Sequence, residues 1–304
     1  MISVIKYRQT NIKTLANIIG AKIIGKDCTI NGLNLCNRES QYSSVLSYVN
    51  SEDYLSDLIS NDKIKAVIIS AALFKLIDKV AHERMTFIIE SNPEQKFYYL
   101  HQYLLKNTMF YHQKPFPAKI GTTSQIKPSA IIEDNVFIGE RCVVEANAVI
   151  RSGCILGDGV KVGYGSVIGS EGFQLIYGEN GIPMLIPHCG GVQLSENVEI
   201  GDNSTISKSL FEGFTEVGRN TKIDNSVHIG HNCVIGEKVV VTAGSILLGS
   251  VTVKDRVWIS PAATIMNGVV LEQDVIVGVS SLVTKSFPAG SNIIGIPARK
   301  SQFN

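Results

Sequence analysis

Charge is scarce in this sequence. Asp, Glu, Lys and Arg make up 18% of the 304 residues, against roughly 25% in an ordinary soluble domain. The 28 Lys and Arg nearly cancel the 27 Asp and Glu, and no basic stretch rises above that balance. Such a surface has no electrostatic means of holding a nucleic-acid backbone. Long apolar runs are absent as well. Mean hydropathy is slightly positive, at +0.15, yet no uninterrupted stretch approaches the ~18 residues that a membrane-spanning helix needs. The opening residues, Met1-Ile2-Ser3-Val4-Ile5-Lys6-Tyr7-Arg8, lack the basic segment, apolar core and cleavage site of a secretory leader. Six cysteines, at 28, 36, 142, 154, 189 and 233, form no Cys-x-x-Cys pair, which leaves neither a disulfide framework nor a thiolate zinc site. These absences predict a cytoplasmic, reduced protein with no membrane span, no nucleic-acid partner, no metal and no permanently bound cofactor.

Glycine is plentiful, at 27 residues, and many of these are periodic. From about residue 120 an aliphatic recurs every six positions: Ile120, Ile126, Ile132, Ile138, Val144, Ile150, Leu156, Val162 and Ile168. The phase returns at Leu194, Ile200 and Ile206, then runs unbroken from Val217 to Val283. A helix repeats at 3.6 and a simple strand at 2. A strict repeat of six describes short strands joined by tight turns, with one aliphatic per flat side pointing into a prism. At three sextets to a coil, the run makes about eight coils. Glycine often follows the anchor, as in Ile138-Gly139 and Ile229-Gly230, where a side chain would crowd the corner. Two residues before the anchor the chain is often small, as at Cys142, Ala148, Cys154, Ser166 and Cys233. That reads these cysteines as inert core filler between closely stacked coils.

The interruptions of the repeat are informative. The stretch 169–191 carries no clean sextet, so it leaves the prism as a loop or hairpin with its turn at Gly178-Glu179-Asn180-Gly181. A second break, between Ile206 and Val217, holds Leu210-Phe211-Glu212-Gly213-Phe214 and reads as an adjusted corner. Immediately after it comes the densest polar cluster, Lys222-Ile223-Asp224-Asn225-Ser226-Val227-His228-Ile229-Gly230-His231-Asn232. Asp224 and Asn225 fall on one corner of the prism, and His231 and Asn232 on the corresponding corner one face on. An imidazole projecting from an edge can serve as a general base. Asp224, from the same chain or a neighbour, can orient it. For His228 a plain surface histidine stands beside a substrate-binding role. The His-x-x-His spacing without a nearby thiolate is weak for zinc.

Before the prism, residues 13–30 predict a helix with Ile12, Leu15, Ala16 and Ile19 buried and Gly20 at its end, followed by a strand. Strands are expected at 45–50, 66–69 and 86–89. A helix starts at Pro93 and carries Phe97, Leu100, Tyr103 and Leu104. The chain therefore divides into a small α/β domain (1–115), a β-helix (116–296) with the insertion 169–191, and a short tail (297–304).

The sextets resemble the left-handed parallel β-helix of the hexapeptide acyltransferase superfamily, which implies a left-handed coil, a homotrimer and active sites between neighbouring prisms. The segment Ile223 to Gly236, with the loop from Gly172-Phe173 to Ile186-Pro187-His188-Cys-Gly190, resembles the UDP-3-O-(3-hydroxyacyl)glucosamine N-acyltransferases of lipid A synthesis. The resemblance puts the catalytic histidine on His231 and its assisting aspartate on Asp224. It puts uracil-stacking aromatics on Tyr48 and Tyr54, and substrate contacts near Phe173, His188, Asn225, His228 and Asn232. The backbone N–H of Gly249, one coil above, is the expected oxyanion donor. An alternative reading of Tyr48 and Tyr54 is as half-buried core residues.

This chain departs from that family at Ser51-Glu52-Asp53, at Ser207-Lys208 and at Val269, and it stops at Asn304 without the family's C-terminal helical extension. Its last coils, with Trp258, Ser280 to Lys285 and Gly295-Ile-Pro297-Ala298-Arg299-Lys300, resemble coenzyme A-dependent sugar acetyltransferases. That resemblance makes Trp258, Lys285, Arg299 and Lys300 donor-binding candidates, although the cations also read as ordinary solvated residues. The expectation is an N-acyltransferase moving a short acyl group from coenzyme A to the amine of a nucleotide-linked amino sugar for a surface polysaccharide such as O-antigen. The alternatives are the lipid A enzyme using acyl carrier protein, and a non-catalytic β-helical scaffold.

Overall fold

The computed structural model describes residues 8–38, 40–111, 115–178 and 181–300. It divides into two compact units, Met1–Lys114 with Phe173–Pro187, and Pro115–Gly172 with His188–Asn304.

The first unit is a five-stranded sheet in the order Lys22–Ile24, Thr86–Ile89, Ile64–Ile69, Val45–Val49, Gly32–Leu33. The Lys22–Ile24 strand runs antiparallel to its neighbour and the other pairings are parallel. Near-continuous apolar strands such as Ile64–Ile69 suit a parallel sheet covered on both faces. The helix Ile12–Ile19 ends at Gly20 with φ 69°, and the Gly20 N–H returns to the carbonyls of Ala16 and Asn17. Pro93 opens the helix Pro93–Asn107, which buries Phe97, Tyr98, Leu100, His101 and Leu104.

The insertion belongs to this unit rather than to the prism. It forms an antiparallel hairpin of Leu175–Tyr177 and Pro183–Leu185, closed by the bond from the Gly181 N–H to the Gly178 carbonyl. Glu179 and Asn180 of the expected turn lie outside the described residues. Two bonds tie the hairpin to the helix Pro93–Asn107: Gln95 Nε2 to the Tyr177 carbonyl (3.1 Å) and His101 Nε2 to the Pro187 carbonyl (2.8 Å). The prism therefore gives up a shorter segment, Phe173–Pro187, than the phase break 169–191 suggests.

The second unit is a left-handed parallel β-helix whose three sheets hold eight, eight and ten strands. We call them the first, second and third faces in the order the chain enters them, at Lys119–Ile120, Gln125–Ile126 and Ile131–Ile132; the ten strands lie on the second face. Pairing normally joins residues eighteen apart, as Val143 with Lys161. Across the hairpin it jumps, so that Cys154 pairs with Val192, and across the second break Glu199 pairs with Lys222. The anchors from Ile138 to Val283 are buried. Ile120 is 42% exposed, because the first coil has no coil beneath it.

The residues of the turn differ from expectation in one respect. Left-handed backbone falls three residues past most anchors, at Arg141, Asn147, Asn203, Asn220 and Asn232 among others, a region that Asn tolerates. The glycine directly after the anchor answers to stacking: a Cβ on Gly139 would lie 2.9 Å from the Asp158 nitrogen. The small residues before the anchors do more than save space. The side chains of Ser124, Cys142, Thr221, Cys233 and Ser245 each donate to a backbone carbonyl fifteen residues on, in the next coil. All six cysteines are free. The tail also joins the fold, with Ala298–Lys300 returning antiparallel along Asn292–Gly295.

Candidate active site

Both interruptions and His231 fall on one edge of the prism. The hairpin leaves after the third-face strand Val167–Ser170, and the second break follows the third-face strand Thr205–Ser207. His231 sits one coil further, two residues past the anchor Ile229 of the third-face strand His228–Ile229. Three consecutive turns of this one edge, between the third and first faces, are therefore irregular or polar.

His231 is held on several sides. Its Nδ1 lies 2.9 Å from Asn232 Oδ1, and that oxygen also accepts the Leu210 N–H at 3.1 Å. A backbone N–H only donates, so the atom is the amide oxygen and His231 Nδ1 carries the proton. The neutral ring therefore presents Nε2 as a base. Asn232 is itself anchored by its Nδ2 to Ser209 Oγ (2.6 Å) and by its backbone N–H to Thr215 Oγ1 (2.9 Å). The tip of the ring rests on Gly249, where a Cβ would lie 2.7 Å from Nε2. The imidazole is only 8% exposed. It is folded onto the coil above instead of projecting from the edge.

The His188 ring packs edge-to-face against it, with centroids 5.1 Å apart and planes at 66°. His188 follows the hairpin directly and is 3% exposed. Its backbone N–H donates to Glu171 Oε1 at 2.7 Å, and its Nδ1 lies 3.9 Å from the same oxygen. The next residues pair with the second break, Cys189 N to the Leu210 carbonyl and Gly190 N to the Ser209 carbonyl. Glu171 Oε2 meets Lys208 Nζ at 2.9 Å and Arg151 Nη1 at 4.0 Å. Partial burial pushes the Glu171 carboxyl up, but the Lys208 ammonium and the His188 N–H outweigh it and hold the group below the usual carboxylate range.

Asp224 is not brought to His231 within one chain. It follows the second-face strand Lys222–Ile223, so it stands on the edge between the second and third faces, one face away. Its carboxylate accepts from the Asn225 N–H (2.8 Å) and the Ala243 N–H (3.1 Å). The Asn225 side chain is used in turn as a brace, accepting the Asp202 N–H at 2.6 Å. His228 faces outward from the third face between Thr205 and Ile246, half-buried, and that burial lowers its pKa. The Gly249 N–H donates to no acceptor among the described residues.

The donor-binding candidates separate. Lys285 lies on the same edge as His231, three coils along, and its ammonium is 5.8 Å from the Phe287 ring. Trp258, 47% exposed, is on the second face between Val240 and Ile276. Arg299 and Lys300 are on the antiparallel return of that same face. In a triangular prism the second face lies opposite the His231 edge. An open concavity of about 500 Å³ also lies on the second face, around Glu145, Lys161, Glu199, Lys222 and Asp224. Lys161 and Lys222 both pair with Glu199, at 3.3 and 2.8 Å. No imidazole lines it.

In the first unit, the Tyr48 hydroxyl donates to Glu94 Oε1 (3.1 Å), and its ring packs 5.0 Å from Phe97 and 5.8 Å from Tyr98. Tyr54 is 40% exposed and Phe173 is 78% exposed. Sequence reasoning missed Asn232 as the partner of His231, and the Glu171–Lys208 pair. A signal existed: both phase breaks follow third-face anchors, as His231 does.

Comparison with known proteins places these observations. Residues 135–170 and 214–249 match the family described as bacterial transferase hexapeptide (six repeats). The chain is 34% identical over 248 residues to the UDP-3-O-acylglucosamine N-acyltransferase of Helicobacter hepaticus, covering 75% of this chain and 72% of that protein. It is 38% identical over 143 residues to the enzyme of the same name from Caulobacter, a match spanning 47% of this chain and 42% of the relative. Among solved structures, the Francisella novicida UDP-N-acetylglucosamine acyltransferase matches with a TM-score of 0.49 and 22% identity, over 60% of this chain and 68% of that one.

Proposed function

The chain belongs to the UDP-3-O-acylglucosamine N-acyltransferase family, and from that membership we propose that it moves an acyl group from a thioester to the amine of a UDP-linked 3-O-acylglucosamine in lipid A synthesis. The expectation of a short acyl group moved from coenzyme A is displaced as the leading reading, because the similarity runs over three quarters of the chain. The scaffold reading falls with it, since the relatives are N-acyltransferases. Acyl carrier protein is the donor implied by the resemblance.

The observation that carries the chemistry is the tautomer of His231. Asn232 accepts from Nδ1, so Nε2 is the basic nitrogen that takes the proton from the sugar amine as it attacks the thioester carbonyl. The C–N bond forms, the C–S bond breaks, and the imidazolium returns its proton to the departing sulfur. The Gly249 N–H, beside Nε2 and without an acceptor among the described residues, is suited to the oxyanion. Asp224 and Trp258 both lie away from the His231 edge of their own chain. They can serve the site only by meeting the His231 edge of a neighbour, which supports a homotrimer with composite sites. Tyr48 and Tyr54 are the candidates for the uracil, and Phe173, Asn225 and His228 for the rest of the sugar nucleotide. Lys285, Arg299 and Lys300 are the candidates for the donor's phosphate.

The test is a matrix of UDP-3-O-acylglucosamine and other nucleotide amino sugars against hydroxyacyl carrier protein and acetyl-coenzyme A, with products read by mass spectrometry. Amide formation on UDP-3-O-acylglucosamine that disappears in His231→Ala supports the reading. Turnover of only a different amino sugar, or an active His231→Ala, overturns it.

A further inference from the structure

His188 owes its place to the insertion. The prism strand pairing resumes at Gly191, so residue 188 belongs to the segment that re-enters the edge. Glu171 takes the His188 N–H, and Cys189 and Gly190 are bonded to the second break. The floor is Gly172, where a Cβ would lie 2.2 Å from His188 Nε2. No larger residue fits there with the ring as it stands.

A ring held this firmly has two consequences for its neighbour. The His188 ring, with centroids 5.1 Å from those of His231, blocks rotation of the second imidazole away from the Asn232 oxygen. It also couples the two rings electrostatically, because two imidazolium ions at that separation in a water-poor site repel one another. Glu171 acts in the opposite sense. Its carboxylate, kept ionised by Lys208 and with Arg151 behind it, favours positive charge on the His188 imidazole, 3.9 Å away.

We propose that His188 is a positioning residue for His231, which fixes the orientation of that ring and shares its titration, so that the protonation of the base belongs to the pair. The inference rests on the reading of His231 as the base, but its test does not need turnover.

The test follows the imidazole resonances of the full chain by long-range ¹H–¹⁵N NMR across pH 4.5–8.5, without substrate, in wild type, His188→Gln and Glu171→Gln. Gln keeps a side chain of similar reach and leaves the backbone N–H to Glu171 intact. His188→Gln removes the like charge and is expected to raise the His231 midpoint by roughly one pH unit; Glu171→Gln removes the carboxylate beside His188 and is expected to lower the His188 midpoint. A variant that merely loosens the edge would not shift the two midpoints in opposite directions. The His228 resonance, on the third face of the same unit, reports that each variant is folded. In the enzyme assay, His188→Gln is expected to lower kcat with the KM for the sugar nucleotide held, and to move the acid limb of the pH–rate profile upward. An unchanged or lowered His231 midpoint in His188→Gln overturns the proposal. So does a His188 midpoint that fails to fall in Glu171→Gln. An active His231→Ala with the opposed midpoint shifts intact would instead overturn only the reading of His231 as base.

Discussion

The Nδ1 atom of His231 lies 2.9 Å from the side-chain oxygen of Asn232, the next residue in the chain. Asn232 holds this position because its backbone is left-handed, with φ 60°, which turns its side chain back across the corner. The same oxygen accepts the Leu210 N–H, so the second interruption of the repeat and the base share one acceptor. Asn232→Ala removes that acceptor and is expected to lower kcat by about 10²-fold, within the range for general-base assistance. Asn232→Asp keeps an oxygen facing Nδ1 and is expected to retain most activity. Steady-state kinetics on the two variants checks this; equal loss in both would make the side chain a turn-former and nothing more.

Gly249 gives a second prediction from packing alone. A methyl group there would lie 2.7 Å from His231 Nε2 and 2.8 Å from Cε1, closer than such atoms approach. The backbone φ at this residue is not in the left-handed region, so alanine meets no torsional objection. Gly249→Ala is therefore expected to fold while displacing the ring, and a misplacement of about 1 Å can cost roughly 10²-fold in rate. Circular dichroism and kcat measured together test it. Full activity in a folded Gly249→Ala would mean that the ring is free to move.

Much of the prism was legible from the anchors, because a period of six admits few other structures and each buried aliphatic from Ile138 to Val283 marks one face of a coil. The first unit was legible in outline, as Gly20 and Pro93 mark helix ends by local chemistry. The membership of the hairpin was not. Phe173–Pro187 sits in sequence between two prism coils, and only the bonds from Gln95 and His101 reveal which core it joins. His231 was legible as a polar residue at a corner, but the hold of Asn232 on its Nδ1 was not. Asp224, seven residues back, is one edge away, since a separation of six to seven residues turns the chain through one face.

His101 makes the first unit sensitive to acid. Burial pushes its pKa down from the ordinary 6.5 to about 4, although its bond to the Pro187 carbonyl works the other way. The folded value lies below the unfolded one, so the unfolded chain binds the extra proton between pH 6.5 and 4. Stability from this group is complete above pH 6.5 and declines through that window, by roughly 3 kcal/mol at its lower end. Hydrogen exchange in the helix Pro93–Asn107, corrected for the intrinsic rate, is expected to show protection falling from pH 7 to pH 4.5. His101→Gln is expected to flatten that slope. A slope unchanged in the variant would assign the acid sensitivity to other groups.

Asp224 and His231 stand on different edges of one chain, and this predicts complementation between chains. Asp224→Ala and His231→Ala are each expected to lose activity as pure assemblies, the first also leaving the Asn225 and Ala243 N–H groups without their carboxylate. If a site takes His231 from one chain and Asp224 from the next around a threefold axis, mixed assemblies contain some interfaces with both residues intact. In every trimer that holds both variants, one interface in three joins an intact His231 to an intact Asp224 in the one rotational sense that makes a site. Co-expressed variants carrying different tags, purified through both, should therefore recover a substantial fraction of wild-type activity. If both residues must come from one chain, every mixed assembly has only broken sites and recovery is nil. The measurement decides between the two without a structure of the assembly, because the variants fail for different reasons and only shared sites can repair them.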